Sequence, residues 1–286
     1  MMSRNLLPAL LLAALLPLGG CKALLGSAQK GASERIAAGV LNNDDPETVA
    51  AGLPAYLILV DGLIDAAPKD AALLCTGAQL YSAYAGNLIE PGVRARQLAN
   101  KARSYGQRAL CAHSAGFCDL PALEFDRGNA LLTRATARDL PALSCFGQAW
   151  AGAIQADTEN WEAIAEIPKV RAIFERIVAL DDAFDFGSAH LYLGVLNTLL
   201  PPAYGGKPEV GRGHFERALA LSDGKNLMVP VLYAERYARL VFDRELHDRL
   251  LQQALSGTVQ VRHLTLINTL AQQRARALQA SANDYF

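Results

Sequence analysis

Two seven-residue phrases, Phe174-Glu175-Arg176-Ile177-Val178-Ala179-Leu180 and Phe215-Glu216-Arg217-Ala218-Leu219-Ala220-Leu221, differ at two positions and stand 41 residues apart. A phrase that returns at such a distance marks one unit used again, because each unit needs its neighbour to bury its apolar face. Three segments precede phrases of this kind: Leu73-Leu74-Cys75-Thr76-Gly77, Leu143-Ser144-Cys145-Phe146-Gly147 and Leu191-Tyr192-Leu193-Gly194. Each reads as the opening of a helix that mixes large and small residues. The second helices end Arg108-Ala109-Leu110, Arg176-Ile177-Val178 and Arg217-Ala218-Leu219, and a fourth, weaker unit joins Tyr233-Ala234 to Leu251-Gln252-Gln253-Ala254-Leu255. A glycine or alanine at the centre of the first helix lets the second approach closely, and an aromatic and an alanine of the second fill the gap. Alanine, leucine, glutamine and arginine dominate while runs of valine and isoleucine are scarce, which favours helices over strands. The expected fold is all-α, built of stacked antiparallel helix pairs.

Phe215 and Ala218, three apart, resemble the phenylalanine and alanine of a tetratricopeptide repeat, and Gly77, Gly147 and Gly194 resemble its first-helix glycine. The period exceeds the usual ~34 residues because loops are inserted, so the repeats are degenerate. Asp45-Pro46 supplies a cap and a first-turn proline for a helix over Pro46–Ala66, which Pro54 is expected to kink or break. Residues 120–138 add a helical piece between units. Pro201-Pro202-Ala203-Tyr204-Gly205-Gly206-Lys207-Pro208 interrupts the third unit before a new helix near Pro208.

The N-terminus reads differently. Arg4 gives a positive charge, residues 6–18 form an uncharged apolar run, and Leu18-Gly19-Gly20-Cys21 follows. That order is the layout of a secretory signal peptide, and a cysteine after Leu-Gly-Gly resembles the lipobox of bacterial lipoproteins, in which the thiol is acylated and the chain is cut before it. The apolar run is too short for a helix across a bilayer, which takes roughly 20 residues. The organisation expected is a signal peptide over 1–20, a lipidated tether over 21–32 starting at Cys21, and one all-helical repeat domain over 33–286. Lys22, rather than aspartate, at the second mature position implies by that resemblance an outer-membrane anchor facing the periplasm. No further apolar run is expected to span, since the longest, residues 53–60, stops at Asp61.

Past residue 20 the chain has 26 basic and 28 acidic side chains. That balance gives no reason to expect nucleic acid, whose binding needs a basic stripe. With Cys21 taken by lipid, Cys75, Cys111, Cys118 and Cys145 permit two disulfides in three pairings. Cys111 with Cys118 is favoured, because so short a loop closes easily and gains about 2.5 kcal/mol in the chain-entropy model. No CxxC occurs. The five histidines show no zinc-protease spacing, and there is no GxSxG, phosphate loop or GxGxxG after a strand. No enzyme, metal or cofactor is expected. Small-molecule pockets are mostly apolar with a few polar groups. Stacked units would bring Tyr81, Tyr84, Phe146, Trp150, Tyr192 and Asn197 to one surface, edged by Tyr204 and Trp161. Those residues are the candidate ligand contacts, with ordinary core the competing reading for each.

Several segments together resemble the T-component family of tripartite ATP-independent periplasmic (TRAP) transporters, tetratricopeptide-like lipoproteins also called TatT. They are Ala95-Arg96-Gln97-Leu98 with Arg103-Ser104-Tyr105-Gly106-Gln107-Arg108-Ala109-Leu110; Asp139-Leu140-Pro141-Ala142-Leu143 with Gln148-Ala149-Trp150; and Gly187-Ser188-Ala189-His190 with Tyr204-Gly205-Gly206 and Gly213-His214-Phe215-Glu216. The end, Ala271-Gln272-Gln273-Arg274-Ala275-Arg276-Ala277-Leu278 to Asp284-Tyr285-Phe286, continues the likeness, which covers roughly residues 33–286. Cys145-Phe146 departs from it. The resemblance implies an all-helical periplasmic protein with a pore or cleft, partnered by a substrate-binding protein and handling a small hydrophobic or lipid-like ligand. Self-association stays open. The competing class is a non-catalytic helical scaffold for protein assembly at the outer membrane. A continuous apolar cavity would favour the ligand reading, and a solvent-lined polar groove the scaffold.

Overall fold

The computed structural model describes Arg35 and residues 37–286. The leader, Cys21 and the tether lie outside the described residues. Residues 37–41 are helical, and thirteen further helices follow in order. These are α1 (Pro46–Ala66), α2 (Ala71–Asn87), α3 (Val93–His113), α4 (Phe125–Leu132), α5 (Leu140–Gln155), α6 (Trp161–Ala165) and α7 (Ile167–Leu180). Then come α8 (Phe184–Thr198), α9 (Pro208–Ser222), α10 (Met228–Tyr233), α11 (Arg244–Ser256), α12 (Thr265–Ala280) and α13 (Ala282–Tyr285). No strand occurs among the described residues, so the protein is all-α as its composition requires.

Local chemistry sets the ends of these helices. The Asp45 carboxylate accepts from the Glu47 and Thr48 N–H groups and Pro46 opens α1, while Asp70 does the same for α2 through Ala72 and Leu73. Of the kink or break expected at Pro54, the break does not occur: α1 runs on to Ala66. The cap and five buried side chains on one face (Val49, Leu53, Leu57, Val60, Ile64) hold the helix through the missing hydrogen bond. By length and composition α1 could also cross a membrane. The sequence expectation of no further spanning stretch missed this, because it stopped at Asp61. In the folded chain the buried face of α1 packs on α2.

Consecutive helices pack on one another, most extensively α2 on α3, α8 on α9 and α3 on α5. The recurrent glycines explain how. A Cβ on Gly77 would stand 2.8 Å from Ile64 and 3.0 Å from Tyr105; on Gly147, 3.1 Å from Ile173 and 3.2 Å from Phe174; on Gly194, 2.8 Å from Phe215. So the aromatic of each second helix sits against the glycine of the first. Three apolar clusters result, centred on Leu74 and Ala102, on Phe146 and Phe174, and on Phe215 and Leu251. Cys75 bonds to Cys145, tying α2 to α5, and Cys111 bonds to Cys118 at the end of α3. The first turn of α8 is left-handed at Asp185, Phe186 and Gly187 (φ 51°, 56° and 74°), so regular helix begins at Ser188.

Candidate functional site

Two clusters of similar chemistry lie at opposite ends of the chain. In the first, Asp61 of α1 accepts from Tyr81 of α2 (2.8 Å) and Tyr105 of α3 (2.7 Å), and Lys101 Nζ of α3 stands 2.5 Å from the same carboxylate. The ammonium also lies over the Tyr81 ring at 4.7 Å and the Tyr105 ring at 5.7 Å. Partial burial opposes the charge on Asp61, but the bonds from Lys101, Tyr105 and Tyr81 outweigh it and hold the carboxyl below its usual range. Burial, reinforced by the bond to Asp61, pushes the Tyr105 phenol up to about 12. Every polar group here has a partner within the chain.

The second cluster is open. Glu209, Arg212 and Glu216 follow at spacings of three and four and share one face of α9. Tyr237 donates to Glu209 Oε1 (2.8 Å), Tyr233 to Glu216 Oε1 (3.3 Å), and Arg212 Nε to that same oxygen (2.9 Å). Tyr237 lies in a turn wound wider than an α-helix, residues Ala234–Ala238, where Arg239 N–H donates to Ala234 O five residues back. Such π turns recur at functional sites. Beyond the turn, Phe242 takes a left-handed φ of 56° and Asp243 caps α11. Leu246, Arg249, Leu250 and Gln253 of α11 face back towards Arg212, Glu216 and Leu219, enclosing a cleft of about 290 Å³ partly open to solvent. Its walls mix two arginines and two phenols with leucine. Burial, with the Glu216 charge beside it, pushes the Tyr233 phenol up to about 12, and burial and the bond to Glu209 raise Tyr237. Both phenols therefore stay protonated as donors across the physiological range.

None of the candidate ligand contacts lines this cleft. Tyr81 belongs to the closed cluster. Tyr84 is buried, with the Arg94 guanidinium 5.9 Å from its ring. Phe146 and Trp150 are fully buried and pack together at 4.9 Å. Trp150 Nε1 donates to Glu166 Oε2 (2.9 Å) and Arg103 lies 4.7 Å over its ring; the void beside it, about 10 Å³, holds at most one water. Tyr192 stacks on Phe174 at 4.7 Å, and Asn197 is buried, donating to Leu193 O. Tyr204, 71% exposed on its glycine loop, and Trp161, 76% exposed, stand at the surface. The structure thus joins Phe146 to Trp150 but does not gather the set around one space. In the sequence Tyr233 and Glu216 stand out only as repeat markers, and Arg212, Tyr237 and Arg249 do not stand out. The available signal was the four-residue spacing of the two tyrosines opposite a Glu-Arg-Glu stripe.

One partly buried pair stands apart. His190 Nδ1 and His214 Nδ1 lie 2.9 Å from each other between α8 and α9. Burial, with His190 alongside, lowers His214 to about 4, and burial lowers His190 too. Among the described residues no group of three or more His, Cys, Asp or Glu side chains could hold a metal ion.

Residues 42–286 match the family described as TRAP transporter T-component. No curated protein matches the chain. Since the match covers most of its length, the chain belongs to the TRAP transporter T-component family, a family of transporter components associated with the cell envelope and periplasm rather than of enzymes.

Proposed function

We propose that this T component is a periplasm-facing lipoprotein, anchored to the outer membrane through Cys21, that takes a small amphipathic ligand into the cleft between α9 and α11. From there it hands the ligand to a periplasmic substrate-binding protein. The observation that carries the reading is the cleft itself: two protonated phenols, two guanidiniums and the Glu216 and Asp243 carboxylates face Leu219, Leu246 and Leu250 across about 290 Å³. That mixture suits a molecule with one apolar and one polar end. Burying about 200 Å² of apolar ligand surface at roughly 25 cal/mol per Å² gives about 5 kcal/mol before ordering costs. The resulting modest affinity fits passing a ligand on.

The test is saturable binding of fatty acids and organic acids by the purified protein, read by calorimetry. Saturation with one class supports the reading, and no saturable binding by any member overturns it. Anchoring is tested separately: a fatty-acid probe should label the wild type and fail to label Cys21→Ala. A second reading, a scaffold for protein assembly at the outer membrane, is favoured by the open, partly polar character of the cleft, which suits a peptide segment as well as a small molecule. Pull-down of a transporter component that survives ligand removal would support it.

A further inference from the structure

One face of α1 has no partner among the described residues. The face that carries Leu53, Leu57, Val60 and Ile64 is buried, while Ala51, Ala55, Ile58, Leu59 and Gly62 on the opposite side are exposed, Ile58 at 72% and Leu59 at 48%. No charged residue occurs from Thr48 to Val60. Gly52 and Gly62 have no atom within 4 Å of where a Cβ would stand. No packing among the described residues therefore explains two glycines that weaken a helix. A stacked helical array needs a polar outer face on its terminal units, and this one is apolar.

Two facts bear on what covers it. The first is size. A helix of 21 residues is about 31 Å long, and a strip about 10 Å wide along it amounts to roughly 300 Å². Specific protein interfaces bury roughly 800 Å² per partner, so this face alone is too small for a stable dimer. A bilayer sets no such threshold. The second is connection. Cys21 precedes Pro46 by 25 residues, a reach of at most about 90 Å, so acylation there would keep α1, near the tethered end of the chain, within reach of the lipid surface. The borders of the face agree with this placement: exposed Tyr56 lies on one side, and Glu47 and Asp65 lie on the other. Such groups fall at headgroup level when a helix lies in the membrane surface.

We propose that the outer face of α1 rests on the lipid bilayer, as a second membrane contact that orients the protein on its anchor. Delivery rests on the reading of Cys21 as acylated, whereas the affinity of the face does not. The test therefore uses the unacylated chain from residue 22 onward, which keeps every described residue, with vesicles of phosphatidylethanolamine and phosphatidylglycerol. A measurable fraction should float with the vesicles. Ile58→Glu combined with Leu59→Glu, and separately Ala55→Asp, should lower the partition coefficient at least tenfold with unchanged circular dichroism melting. Wild-type protein that does not float overturns the proposal, and so does flotation undiminished in both variants. Concentration-dependent sedimentation abolished by the same substitutions, without flotation, would assign the face to a second copy instead. Loss of fatty-acid labelling at Cys21 would remove the anchor without touching this result.

Discussion

The Asp61 cluster and the Glu216 cluster are made of the same kinds of part: a cation, two phenols and carboxylate, one in the first (Asp61) and two in the second (Glu209 and Glu216). They differ in where the cation goes. Lys101 lies over both rings and fills the space between α1, α2 and α3. Arg212 instead runs along α9, half exposed and paired with Glu216, and leaves the space between α9 and α11 empty. The N-terminal region is further closed by the bond between Cys75 and Cys145, and no disulfide joins the C-terminal helices. The same side-chain chemistry thus serves as a rivet in one region and as the wall of a cleft in the other. Composition alone does not distinguish them.

The largest effect should come from the N-terminal disulfide. Its two cysteines are 70 residues apart in sequence, and closing such a loop stabilises by about 4.4 kcal/mol in the chain-entropy model. Cys75→Ala with Cys145→Ala should lower the thermal midpoint more than substitution of Asp61, Gly194 or His214 does. An unchanged midpoint would remove the contrast in rigidity.

Asp61→Ala strands two phenols and an ammonium and should cost about 1–3 kcal/mol in urea unfolding. Glu216→Ala, at a half-exposed pair, should cost about 0–1 kcal/mol. Equal losses would mean that the second cluster is also a rivet. Glycines divide the molecule in the same way. Gly194→Leu drives a side chain into Phe215 and should cost about 1–3 kcal/mol. Gly52→Ala on the bare face of α1 should stabilise by roughly 0.5–1 kcal/mol. Thermal melts of the two variants should therefore move in opposite directions.

A last contrast concerns pH. His214 is depressed to about 4 in the folded protein, against about 6.5 when unfolded. Between those values the unfolded chain binds the extra proton, so the stability from this site is complete above about pH 6.5 and is lost as pH falls through 4. The midpoint of the wild type should fall more steeply over that window than that of His214→Gln. Parallel curves would show that the pair between α8 and α9 is not held neutral.

The fold was legible because it is written in packing residues. Gly147, Gly194, Phe174 and Phe215 carry the helix contacts, and their spacing survives the inserted loops. The cleft was not legible, for a physical reason. Glu209, Arg212 and Glu216 look in sequence like any solvated helix face. Nothing in Ala234-Glu235-Arg236-Tyr237-Ala238 announces a π turn, and the fit of α11 against α9 depends on tertiary geometry. The aromatics singled out instead, Phe146 and Trp150 above all, follow the helical period of the core and sit in it.

Function turns on whether the cleft, and not the packed aromatics, takes the ligand. Native mass spectrometry of protein purified from its own envelope tests this most directly, comparing the wild type with Tyr237→Ala and Arg249→Ala in the cleft and with Tyr84→Ala outside it. A ligand adduct is expected on the wild type and on Tyr84→Ala, and none on either cleft variant, while all four remain folded. An adduct that persists in the cleft variants and disappears in Tyr84→Ala would contradict the assignment.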